Sequence, residues 1–408
     1  MTEQRYPGLG RRGFFGLAGA GAAGAVALGA VAARGGNQDQ SSAKTPDGGD
    51  PRGRSYSPHE THQSGIITPV PAASTLVALN LNPGTTPDAL RRLLTILSHD
   101  IEALMAGRPV PGDPLPDLAQ ANVSLTVTVG LGPGVFRIPG LTGLVPDGLA
   151  EVPPMAHDQL QPRWSGGDLL LMVSADDATT VAYAVRILTR DARTFTTVRW
   201  TQPASWRGVD AEGIPITGRN LFGQVDGTGN TVAGAAEVIW SDASQPWFAG
   251  GTTLVVRRIE MNLTTWDELV RGRQQAVMGR TLADGAPLSG GVESDDLDLS
   301  ATTDDGQPVI ALDAHARLAH PSQNRGRTMF RRSMNYTHHE YADGVGVTSA
   351  GLVFLAFQHS IPEVFTPVQQ RLDQADALNE WTTAIGSAVF AVPGGWEPGG
   401  IVAQGLFS

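Results

Sequence analysis

The sequence contains no cysteine. That absence removes disulfide frameworks, thiol nucleophiles, cysteine-ligated zinc, iron–sulfur clusters and thiolate haem ligation together. Any metal must therefore be held by histidine or carboxylate. Lysine is almost missing as well: Lys44 is the only one among 29 basic residues, set against 40 acidic ones for a net charge of −11. With no Lys/Arg run beyond the N-terminus, this balance argues against nucleic acid as a partner. Charged residues make up 17% of the 408 and hydrophobic ones 41%, the proportions of a soluble globular protein with core enough for two domains.

No hydrophobic run is a convincing membrane span. Arg11-Arg12-Gly13-Phe14-Phe15 precedes a stretch from Gly16 to Ala33 made almost wholly of Gly, Ala, Val and Leu and ending in small residues. A charged start, a weakly apolar middle and an A-x-A end predict a cleaved signal peptide over residues 1–33. Its paired arginines resemble a twin-arginine signal, which implies export of an already folded chain by the Tat machinery to the cell envelope or the outside. A retained anchor is the alternative, but the Gly and Ala content makes a poor spanning helix, and no stable span is expected after cleavage. Residues 34–57 carry hardly an apolar side chain and are expected to form a disordered tether.

Beyond the tether, period-two alternation predicts a strand over Thr75–Leu81, and Thr86-Pro87 opens a helix with Leu90, Leu93, Leu94, Leu97, Ile101 and Leu104 on one face. Strands over Ser124–Val129, Asp168–Ser174 and Thr194–Thr201, with a helix over Asp177–Leu188, complete the order β-α-β-β-α-β, a ferredoxin-like unit over residues 58–217. The stretch 218–408 reads the same way: a strand over Thr252–Met261, a helix over Thr264–Val277, strands over Thr328–Met334 and Gly351–Phe357, a helix over Pro362–Asn379 and a strand over Ser387–Val392. The expected class is α+β, two ferredoxin-like halves with antiparallel sheets packed together.

Three stretches carry chemistry. In Gly218-Arg219-Asn220-Leu221-Phe222-Gly223-Gln224-Val225-Asp226-Gly227-Thr228-Gly229-Asn230 an acid sits among glycines, which by itself most often marks a turn. In Asp313-Ala314-His315-Ala316-Arg317-Leu318 a histidine lies between apolar neighbours, more often a core residue than a ligand. Met329-Phe330-Arg331-Arg332-Ser333-Met334 places two arginines in a strand pattern, where one must face inward and find a polar partner.

Together these stretches resemble the dye-decolorizing peroxidase family, haem enzymes with two ferredoxin-like halves. Further segments resemble it in the same order: His62-Gln63-Ser64-Gly65-Ile66-Ile67-Thr68-Pro69, Ser165-Gly166-Gly167-Asp168-Leu169, Trp247-Phe248-Ala249-Gly250-Gly251-Thr252 and Gly285-Ala286-Pro287-Leu288-Ser289-Gly290. The resemblance implies one haem b per chain in the C-terminal half, with His315 as axial ligand, Asp226 as distal acid–base residue and Arg331 as distal charge stabiliser. It places Gly227, Thr228, Leu355 and Phe357 beside the haem, and Arg317 either at a haem propionate or on the surface. Hydrogen peroxide and a one-electron reductant such as a dye or phenol are the implied partners, and the oligomeric state stays open. A carboxylate ordinarily titrates near about 3.9, so an acid-side activity optimum is expected.

The chain departs from the family pattern in one respect. The family commonly carries an acid just after the Phe-Gln pair, whereas here His359-Ser360 follows Phe357-Gln358 and Glu363 is the first carboxylate. His315 is therefore expected to lack a carboxylate partner, which would raise the haem potential or pass its hydrogen bond to a backbone carbonyl. Bulky substrates imply electron exit through a surface aromatic, with Tyr336 nearest in sequence to the distal motif. Two other readings stay open: a haem- or iron-handling protein of the envelope, deferrochelatase-like with weak peroxidase activity, and a copy of the fold that binds no haem. The Gly130–Gly134 run reads as a turn, His338-His339-Glu340 as a solvated loop and Glu293–Asp298 as an exposed acidic loop.

Overall fold

The computed structural model describes residues 54–408 except 122–123, 215, 231–237, 242–244 and 343–344. The expected signal segment and all of the expected tether before residue 54 lie outside the described residues.

Local chemistry starts the N-terminal helices where the sequence predicts. The Thr86 hydroxyl accepts a hydrogen bond from the Ala89 amide and Pro87 fills the first turn, opening α1 (Pro87–Met105). Asp177 caps α2 (Ala178–Ala192) in the same way, from the Thr180 amide. Both helices turn their leucine and isoleucine faces onto a sheet of β1 (Ala73–Leu81), β2 (Thr126–Leu131), β3 (Leu169–Ala175) and β4 (Thr196–Ser205). Leu90, Leu93, Leu94 and Leu97 are fully enclosed, each contributing about 1.5–3 kcal/mol of burial. The strand order β2-β3-β1-β4, all antiparallel, is that of a βαββαβ unit.

The C-terminal strands repeat it. β5 (Thr252–Met261) lies between β8 (Val345–Gln358) and β9 (Thr382–Val392), and β7 (Met334–Ala342) pairs with β8, while the two-residue β6 (Phe330–Arg331) adds to the far end of β8. The predicted helix over 264–277 is in fact two, α3 (Leu263–Asp267) and α4 (Arg271–Met278). A third short helix, α5, spans His315–Ala319. The predicted helix over 362–379 is also divided. A π-helical turn over Ile361–Phe365 leads into α6 (Thr366–Ala375), Asp376 is extended, and a 3-10 turn follows over Ala377–Glu380. Asp376 caps that turn, so the chain exchanges one helix for two short ones.

The two sheets are continuous rather than only packed face to face. Leu131 pairs with Ala391 at one seam and Ser205 with Asn335 at the other, so the antiparallel strands close into a barrel-like ring. The Gln63 side chain reinforces the first seam by exchanging hydrogen bonds with the Val129 backbone and donating to the Pro393 carbonyl. Between the sheets lie Leu76, Met172, Leu254, Val256, Tyr336, Leu355, Phe357 and Phe390. Leu355 and Phe357 alternate with Ala356 and Gln358 on β8, so both point to this inner side.

One buried acid makes the helical layer sensitive to pH. Asp100 of α1 is 6% exposed and its Oδ2 has no hydrogen-bond partner. Burial first, then the charge and hydrogen bond of Asp191, push its pKa up to about 7 against a smaller pull downward from Arg190. An unfolded aspartate releases its proton near about 3.9, so between these values the folded state holds more protons. The resulting stability is fully present below the unfolded pKa and is lost as pH rises toward and through 7. Asp100→Asn is therefore expected to raise unfolding free energy relative to the parent by about 1–3 kcal/mol at pH 8, with little difference at pH 4. Urea melts at the two pH values check this, and parallel shifts at both would contradict it.

Candidate active site

The segment 218–230 is a tight double turn organised by Asn220. Its Oδ1 accepts from the Phe222 and Gln224 amides and its Nδ2 donates to Asp226 Oδ2 at 3.3 Å. The Asp226 amide in turn donates to the Gly218 carbonyl at 2.9 Å. Gly223 and Gly227 have φ of +79° and +127°, which any side chain would strain, so glycine is required on either side of the acid. Asp226 is half-buried, with one oxygen held and the other without a partner among the described residues.

Asn230 carries the segment to the arginines. Its side-chain amide forms a two-bond clamp on the backbone of Arg331, accepting from the amide at 2.8 Å and donating to the carbonyl at 2.5 Å. Arg331 Nη2 donates to the Thr228 carbonyl at 3.2 Å, placing its guanidinium against the loop that holds Asp226. Arg332 goes the other way. It is 2% exposed and donates to the carbonyls of Ile66, Thr68 and Pro69, and burial pushes its pKa down to about 10. The sequence expectation that only one of the pair can line the site matches this division, although the ladder breaks after Arg331 and resumes at Met334.

His315 opens α5, and its Nδ1 meets Asp376 Oδ2 at 2.6 Å. The expectation that His315 lacks a carboxylate partner is thus corrected. The acid comes from Asp376, 61 residues downstream, rather than from the position after Gln358, where His359 pairs instead with Glu363 at 3.5 Å. Asp376 uses both oxygens, Oδ1 capping the 377–380 turn through the Leu378 amide and Oδ2 holding the imidazole. The hydrogen bond from the Ala377 amide to the Asp313 carbonyl draws the two segments together. Burial pushes the His315 pKa down, but the charge and hydrogen bond of Asp376 outweigh it and the net direction is up; Arg331 lowers it and Asp226 raises it.

The remaining predicted residues fall around this centre. Thr228 donates from its hydroxyl to Glu293 at 3.1 Å, bringing the acidic loop to the site. Leu355 and Phe357 are fully enclosed, and the Leu355 carbonyl accepts from the Arg332 amide. Arg317 commits Nε to the Ile310 carbonyl and Nη2 to that of Leu299, bracing the loop before α5. His338 and His339 lie on β7 rather than in a loop, His338 edge-on to Trp164 and His339 bonded to Thr348. Asn220, Asn230 and Asp376 escaped sequence reasoning. Asp376 had one local signal, an Asp directly before Ala377-Leu378-Asn379, which reads as a cap rather than as helix interior.

The donor set suits a haem. Among the described residues no group of three or more His, Asp or Glu could hold a metal alone, so iron here needs a macrocycle for most of its ligands. His315 offers one nitrogen for it: Nδ1 is fixed by a carboxylate, which sets the tautomer and leaves Nε2, without a hydrogen-bond partner among the described residues, to ligate.

Comparison with known proteins agrees. Residues 63–203 match the family model described as Dyp-type peroxidase, N-terminal, and residues 217–397 the one described as Dyp-type peroxidase, C-terminal. The dye-decolorizing peroxidase of Thermobifida fusca is 39% identical over 353 residues, spanning 82% of this chain and 81% of that protein. The deferrochelatase of Escherichia coli K12 is 32% identical over 364 residues, 82% of each. The crystal structure of a DyP-type peroxidase from Cellulomonas bogoriensis superposes with a TM-score of 0.82 at 46% identity, over 87% of this chain and 99% of that one.

Proposed function

Because this chain belongs to the Dyp-type peroxidase family and is a haem-dependent peroxidase, we propose that Asp226, Arg331 and His315 divide its chemistry among them, with the haem in the C-terminal half. When bound, the haem supplies an iron with one open position, at which hydrogen peroxide is reduced to water, and draws electrons singly from a reducing substrate. His315 would hold the iron through Nε2, with the Asp376 carboxylate at Nδ1 orienting the ring and making it a stronger donor. Asp226, with Oδ2 held by Asn220, would use Oδ1 to take a proton from peroxide and hand it back to the departing oxygen, which leaves as water, with the electrons for breaking the O–O bond supplied by the haem. Arg331, fixed by Asn230 and the Thr228 carbonyl, offsets negative charge developing on the peroxide oxygens.

The observation that carries this reading is the His315–Asp376 pair, which fixes Nδ1 and leaves Nε2 without a hydrogen-bond partner among the described residues. Dyes are the proposed reductants, after the name of the Thermobifida relative, and phenols are proposed on the family resemblance of the sequence. Export by the twin-arginine route to the envelope or the outside belongs to the same proposal and rests on the pattern over residues 11–33. The deferrochelatase-like alternative rests on the lower identity of the two. Stopped-flow absorbance of hemin-loaded protein mixed with equimolar peroxide tests the main reading. A fast, stoichiometric oxidation is expected; slow reaction of a fully loaded protein would favour haem or iron handling.

A further inference from the structure

Arg258 occupies an unusual place on the inner side of the sheets. It follows Leu254 and Val256 on the inward face of β5, opposite Val353 and Gly386, and is 4% exposed. Its guanidinium carbon lies 3.6 Å from the ring centre of Trp164 and 4.4 Å from that of Tyr336, so the two aromatics enclose it. Nε and Nη1 have no hydrogen-bond partner among the described residues. The ring faces are therefore the main compensation for burying this charge. The fold makes room for the arrangement: a Cβ at Gly386 would stand 2.9 Å from Trp164 Cβ and 3.2 Å from Arg258 Cβ. The loop that presents Trp164 is tied down by Arg199 to the Ser165 carbonyl and by Trp200 to the Gly166 carbonyl. A second cation, Arg163, stands 5.4 Å from the same Trp164 ring.

The redox consequence follows from electrostatics. Removing an electron from an aromatic ring leaves a positive hole, and a cation on the ring face opposes it. Tyrosine escapes that penalty by passing its phenolic proton to a base, but Tyr336 is 2% exposed and among the described residues its hydroxyl meets only the Ser349 hydroxyl, at 3.3 Å. An alcohol holds an extra proton poorly. Tyr336 is thus opposed twice, by the charge on its face and by the lack of a proton acceptor.

We propose that Arg258 is a redox guard, a positioning residue whose charge keeps Trp164 and Tyr336 from giving an electron to the peroxide-oxidised enzyme, so that the oxidising equivalents are kept for external reductants. The inference rests on the peroxidase reading and removes Tyr336 from the candidate aromatics for electron exit. The event prevented is a one-electron step: Tyr336 would lose an electron to the oxidised centre and its phenolic proton by way of the Ser349 hydroxyl to solvent, leaving a neutral phenoxyl radical.

The test is electron paramagnetic resonance on holoenzyme frozen after peroxide addition, comparing the parent with Tyr336→Phe, Arg258→Met and Arg258→Lys. The parent and Tyr336→Phe are expected to give the same radical spectrum. Arg258→Met gains a signal that disappears in Arg258→Met/Tyr336→Phe or Arg258→Met/Trp164→Phe, while Arg258→Lys keeps the parent pattern. A parent signal abolished by Tyr336→Phe overturns the proposal even if Arg258→Met does not fold, as does a folded, haem-loaded Arg258→Met with an unchanged radical yield. The absorbance trace of the same mixture shows separately whether peroxide has reacted. A second readout needs no peroxide: flash oxidation of the holoprotein by a ruthenium tris-bipyridyl oxidant, followed by peptide mass mapping. Oxidation at Trp164 rises severalfold in Arg258→Met and not in Arg258→Lys if the guard operates, and equal yields in all three proteins refute it.

Discussion

Asp226→Ala is expected to slow the reaction with hydrogen peroxide by about 10²–10⁴-fold while leaving haem uptake and folding unchanged. Alanine removes the only carboxylate on the Gly218–Asn230 turn, and peroxide must then release its first proton to water. The turn itself survives, because Asn220 holds it through the Phe222 and Gln224 amides and Gly223 and Gly227 supply its backbone geometry. Asp226→Asn, which keeps the shape and cannot take the proton, is expected to fall nearly as far. Stopped-flow rate constants against peroxide concentration decide the matter. A loss of only a few-fold would assign the proton transfer to another group and leave Asp226 a turn residue.

Asp376→Asn is expected to weaken haem retention or the peroxide step by about 10–100-fold, with almost no change in thermal stability. The two effects separate because the two oxygens of Asp376 do different work. Asparagine caps the 377–380 turn as well as aspartate does, so the Leu378 amide keeps its partner. What disappears is the negative charge at His315 Nδ1, and with it the force that orients the ring and strengthens Nε2 as a donor. Transfer of haem to excess apomyoglobin measures retention, and the peroxide rate of the loaded variant measures the rest. A variant that melts much earlier but holds haem normally would show that Asp376 serves the fold alone.

How much of this was legible in the sequence depends on how local each signal was. Thr86-Pro87 and Asp177 announce their helices because a cap is a contact between residues three apart. The alternation of Arg331 and Arg332 is legible from the two-residue period of a strand, and the structure sends one to Thr228 and the other to Ile66–Pro69. The break between α3 and α4, and the one at Asp376, carry no proline or glycine stop within a continuous amphipathic pattern, so a single long helix was the natural reading of each. Asp376 was missed as the partner of His315 because their meeting is a tertiary event. The acid was sought next to Gln358 in the chain, when the fold delivers it from the end of α6. The seams were illegible for the same reason, since a single residue pair such as Leu131 and Ala391 leaves no pattern along the chain.

The path of Arg332 bears on whether the two halves are separable. Asp226, His315, Arg331 and Asp376 all come from the C-terminal stretch, so on a list of site residues the N-terminal half looks dispensable. Yet the residue beside Arg331 spends its guanidinium on the Ile66, Thr68 and Pro69 carbonyls, in a segment that enters the fold before the first strand. Without that segment the buried guanidinium loses its carbonyl acceptors, and the chain beside Arg331 loses that anchor. The segment before the first strand thus supports, from outside the C-terminal stretch, the residue next to Arg331.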